Sequence, residues 1–62
     1  MQELINEAIS CVYEQGRKYH IIKEGNTYKL IPDYKHKKIS EDIKIGKIVS
    51  VKYKIIKTFQ PI

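Results

Sequence analysis

Residues Arg17 to Pro32 read RKYHIIKEGNTYKLIP, and this stretch decides the fold. Two runs rich in β-branched and aromatic residues flank Gly25-Asn26, a two-residue loop with glycine first, as a type II′ turn requires. The loop sets the register, so that Lys23 faces Tyr28, Ile21 faces Leu30 and Tyr19 faces Pro32. One side of the hairpin then carries Tyr19, Ile21, Tyr28 and Leu30, and the pattern places that side in the core. The other side carries Lys18, His20, Ile22, Lys29 and Ile31, a mixture expected to be half covered.

Before the hairpin, Leu4, Ile5, Ala8, Ile9 and Val12 recur at helical spacing, with Glu3, Glu7, Ser10 and Glu14 opposite. This spacing predicts an amphipathic helix of about fifteen residues. Gly16 can take the left-handed conformation that ends it, and Arg17 and Lys18 follow where the helix dipole favours cations.

After the hairpin, Pro32-Asp33 opens a connection, and Tyr34 to Lys38, YKHKK, reads as either an edge strand or a basic loop. Ser40 followed by Glu41 and Asp42 has the form of a helix start, with room for barely one turn before Gly46. From Lys47 to Phe59, KIVSVKYKIIKTF, Val49, Val51, Tyr53, Ile55 and Phe59 alternate with Ser50, Lys52, Lys54, Ile56 and Thr58. That alternation predicts a strand whose apolar side packs on the helix and whose lysines stand in water, where they also discourage edge pairing. The expected fold class is α+β: an N-terminal amphipathic helix packed on a three- to four-stranded antiparallel sheet, in one small domain spanning residues 1–62.

A chain of 62 residues buries only about 60% of the surface its unfolded form exposes. Small scaffolds usually add disulfides, a metal or a second subunit. Cys11 is the single cysteine and cannot form an intrachain bridge, so a homodimer is the expected support. No apolar run approaches the roughly 20 residues that span a bilayer, and the N-terminus lacks the basic-then-apolar order of a signal peptide. A soluble, cytoplasmic protein is expected.

The net charge of +5 is segregated. Residues 1–14 carry three acids and no base, whereas residues 15–62 carry all twelve bases against four acids. A basic body with one acidic stripe results.

Catalysis needs a base or nucleophile with a partner to orient it. Cys11, His20 and His36 are the candidates, and none lies in a recognisable motif or in the paired spacing of a metal site. A buried inert thiol and two ordinary imidazoles are expected. Glu41 and Asp42 are sequence neighbours that would point apart on a strand, and the glycines lack phosphate-loop spacing. No catalytic residue, cofactor, metal or small molecule is therefore expected.

Two binding classes remain. Protein binding is the first: Ile22, Ile31 and Ile56 are apolar residues on the wet sides of strands, with Ile62 at the end of the chain, and clustered they would form a patch that a protein partner or a second copy covers. On this reading the chain is a small interaction protein, of the accessory or inhibitor kind that phages and other mobile elements encode. The alternative is sequence-tolerant nucleic-acid binding through Tyr34, Lys35, His36, Lys37 and Lys38, with Tyr34 as the free aromatic. Arg17 is the only guanidinium, so base reading through bidentate contacts would be nearly absent.

Overall fold

A computed structural model describes residues 1–61; Ile62 lies outside the described residues. The order of elements is α1 (Gln2–Gln15), β1 (Tyr19–Glu24), β2 (Thr27–Pro32), α2 (Asp33–Lys44) and β3 (Tyr53–Phe59). The three strands form one antiparallel sheet in the order β2-β1-β3, an α+β arrangement with α1 packed across it. No helix among the described residues is long and apolar enough to cross a membrane.

The hairpin has the register read from its turn, with Tyr19 opposite Pro32, Ile21 opposite Leu30 and Lys23 opposite Tyr28. Gly25 has φ 62 while Asn26 keeps a negative φ, the combination that a type II′ loop demands of its first residue. Helix α1 ends at Gly16, whose left-handed backbone (φ 62, ψ 28) lets its N–H donate to the Val12 carbonyl. Its buried residues are Ala8 and Val12, which meet the sheet on the Tyr19 and Ile21 side. Ile9 is the exception within the expected stripe, at 49% exposed, because it lies one step around the helix from that line of contact.

Four expectations are corrected. Residues 34–39 are neither strand nor loop but the first half of α2, which covers the second face of the hairpin. Pro32, extended at φ −73 and ψ 151, caps its start; Asp33 supplies an acid in the first turn. Ser40 is therefore interior to a helix, and Glu41 and Asp42 lie in its last turn. The inward stripe is His36, Ile39, Ser40 and Ile43, all partly covered. With only two apolar members, it is too polar to stand out as a period in the sequence.

Second, this cover changes the status of the mixed face: Ile22 is 3% exposed and Ile31 is half-buried, so the cluster of exposed isoleucines does not form. Third, Tyr28 is exposed at the edge strand and not part of the core. Fourth, the last strand begins only at Tyr53. Residues 45–52 are irregular, and Val49 and Val51 stand in solvent.

Strand β3 also contains a bulge. Ile21 pairs with Lys57 but Ile22 pairs with Ile55, leaving Ile56 without a partner. The extra residue reverses the alternation partway along the strand. Tyr53 and Ile55 consequently share the face of His20 and Ile22, on the α2 side, where Ile55 remains 41% exposed, whereas Phe59 shares the face of Tyr19 beneath α1. Lys54 and Lys57 are exposed, as a strand at the sheet edge allows.

Candidate functional site

The start of α2 is where the chain concentrates its polar chemistry. Extending the hairpin register past Tyr19 and Pro32 sets Lys18 opposite Asp33 and Arg17 opposite Tyr34. The Asp33 N–H donates to the Lys18 carbonyl at 2.9 Å, and the Arg17 guanidinium lies 5.2 Å from the centre of the Tyr34 ring. Both ends of the hairpin thus meet at the first turn of α2.

Beneath that turn lies His20, 4% exposed. Its Nε2 is 2.6 Å from Asp33 Oδ1, and its Nδ1 is 2.8 Å from Thr58 Oγ1. In the neutral ring the proton sits on Nε2 and is donated to the carboxylate, while Nδ1 accepts from the Thr58 hydroxyl. The hydrogen bond from His20 holds the Asp33 carboxyl below its ordinary range; partial burial opposes this, and the Lys37 ammonium at 3.4 Å adds to it. No buried side-chain polar atom among the described residues lacks a partner.

A second imidazole, His36, stands edge-on to His20 with ring centres 5.2 Å apart. Burial pushes the Tyr53 phenol up, and its hydroxyl is hydrogen-bonded to His36 Nδ1 at 2.8 Å. The four side chains His20, Asp33, Thr58 and Tyr53, with His36, tie α2 to β1 and β3. Both nitrogens of His20 face partners within the protein, so the chemistry of the arrangement is fastening: each group satisfies another, in a place where an unpaired one would be costly.

The outer surface of the same helix is different. Tyr34, Lys35, Lys37 and Lys38 are exposed, whereas His36 turns inward and belongs to the network. Arg17, Lys18, Asp33, Tyr34 and Lys37 line a shallow recess of about 350 Å³. Of the residues expected to contact nucleic acid, Tyr34, Lys35, Lys37 and Lys38 are brought together and His36 is not. Arg17 and Lys18 join them, and the hairpin register carried two residues further was the signal for that neighbourhood.

An apolar groove of about 480 Å³ runs on the other side of the sheet, between α1 and the end of β3, lined by Ile9, Val12, Tyr13, Phe59 and Pro61. Tyr13 is 85% exposed there. Of the three isoleucines expected at a protein interface, Ile22 is buried, Ile31 is half-buried and only Ile56 is exposed. Cys11 is a free, half-buried thiol on α1. Among the described residues, no group of three or more His, Cys, Asp or Glu could hold a metal ion. Compared with known proteins, the chain matches no family model, no curated protein and no solved structure.

Proposed function

We propose that the chain is a small non-catalytic interaction protein, of the accessory or inhibitor kind, that works in the cytoplasm by seating an apolar segment of a protein partner in the groove between α1 and β3. A second copy of the chain is the first such partner to test. One observation carries the reading. Among the described residues eleven large apolar side chains are exposed while only five apolar side chains are buried, an imbalance that a partner surface relieves. Ile9 and Tyr13 are the exposed members that line the groove. Non-catalytic action is supported by the internal saturation of His20, and a reducing compartment by the free Cys11 thiol.

The test compares the wild type with the double variant Ile9→Asp/Tyr13→Asp. Light scattering at about tens of micromolar should report a dimer for the wild type and a monomer for the variant, since two charges would enter an apolar contact. Where the partner is a different protein, it should be retained by the wild type as bait through a high-salt wash and lost by the variant. Equal behaviour of the two chains in both measurements sinks the reading.

A further inference from the structure

We propose a second, separate binding surface: the outward side of the first two turns of α2, where Tyr34, Lys35 and Lys38 together with Arg17 and Lys37 take the phosphate backbone and one base of a single-stranded nucleic acid. It lies on the opposite side of the sheet from the apolar groove and stands or falls independently of it.

The placement of charge along α2 is the first argument. The helix dipole is positive at its N-terminus and favours acids there and bases at the far end. Asp33 and Lys44, at the two extremes, obey this. Just inside them the order is reversed, with Lys35, Lys37 and Lys38 in the first half and Glu41 and Asp42 in the last turn. Helix stability therefore does not account for these lysines. Pairing four residues apart would be the ordinary explanation, linking Lys37 to Glu41 and Lys38 to Asp42. The structure shows otherwise: Lys37 reaches back to Asp33 at 3.4 Å, and Lys35 and Lys38 make no ion pair among the described residues. The unpaired ammonium groups of Lys35 and Lys38 and the Arg17 guanidinium add to the positive end of the dipole along this side of the helix, while the Asp33 carboxylate, which also lines the recess, is taken up by His20 and Lys37.

The aromatic ring is the second argument. Tyr34 is 54% exposed and makes no hydrogen bond among the described residues, so packing does not explain it. A guanidinium lies against it, and the ring borders the recess that Lys37 and Lys18 also line. Exposed aromatic rings beside a basic track are how proteins hold single strands, whose bases are free to stack. In a duplex the bases are already stacked on one another, so a lone Tyr34 has nothing to receive. With one arginine and no further donor fork, the contact is to phosphate and ring faces, without a base code.

The experiment follows the anisotropy of a labelled oligothymidylate of about 20 nucleotides, at about 50 and 200 mM salt, with a duplex of the same length and a polyglutamate peptide as competitors. The single strand should bind, lose at least about ten-fold in affinity across that salt range, and outcompete both. Lys35→Gln/Lys38→Gln should reduce the salt slope by about 1.4 units, the single-strand value for two phosphates. Tyr34→Leu should weaken binding by about ten-fold, and Tyr34→Phe, which keeps the ring, should restore it. Lys54→Gln/Lys57→Gln, on the far strand, should stay within about three-fold of wild type. Absence of single-strand binding, insensitivity to the α2 variants, or stronger binding of polyglutamate than of the oligonucleotide would each overturn the proposal, the last in favour of an acidic protein surface.

Discussion

His20 shows how one residue can define a face. Its ring is buried between β3 and the first turn of α2, hydrogen-bonded to Asp33 through Nε2 and to Thr58 through Nδ1, so it joins three elements that are distant in sequence. Asp33 is the member that responds to acid. Its folded pKa is depressed, so its contribution is present above the unfolded value of about 3.9 and is lost as pH falls through the lower folded value. Asp33→Asn keeps the shape but removes the charge that strengthens the bond, and should destabilise the domain by about 1 to 2 kcal/mol at neutral pH. Urea unfolding at pH 7 and at about pH 3 should then show a smaller acid loss for the variant than for wild type. Identical acid losses would remove Asp33 from the network. The sequence singled out His20 as a titratable side chain but not its partners, because a histidine amid isoleucines carries no sign of which side chains will meet it.

At the scale of elements, the two helices differ in how openly the sequence displays them. Helix α1 has a full apolar stripe and a glycine stop, and both are visible in the residue pattern. What the pattern left open was which edge of the stripe meets the sheet. Ala8 is fully buried there, and its small side chain lets the helix lie close. Ala8→Leu should therefore lower stability by about 1 to 3 kcal/mol through overpacking, whereas Ile9→Asp, at a half-exposed position, should leave the thermal transition nearly unchanged at protein concentrations too low for the groove to be covered by a second copy. Circular dichroism melts on the two variants check this; the opposite ranking would mean that α1 is rotated. Helix α2 was hidden because its inward stripe mixes His36 and Ser40 with Ile39 and Ile43. The burial that stabilises it depends on a sheet face whose own polar groups it satisfies.

For the whole molecule, a sheet covered on both faces still leaves a thin core. Ala8, Val12, Tyr19, Ile21 and Ile22 are its buried apolar members among the described residues. If a second copy covers the α1–β3 groove, association is coupled to folding, and a ten-fold rise in protein concentration should raise the melting temperature by about 3 to 5 °C. Calorimetry over a concentration series measures this, and a constant midpoint would argue for a monomer. The sequence by itself determined the α+β class, the extent of α1 and its glycine stop, and the hairpin with its register, because each of these depends on local spacing and turn chemistry. Only the tertiary structure decided the rest. The bulge at Ile56 reversed the faces of β3, α2 formed over a face that had looked half wet, and Arg17 came to lie against Tyr34. The physical reason is that a bulge and a polar-striped helix are each stabilised by groups distant in sequence, so the local pattern of residues carries no mark of them, while the Arg17–Tyr34 contact, prefigured by the hairpin register, forms only because α2 continues directly from β2.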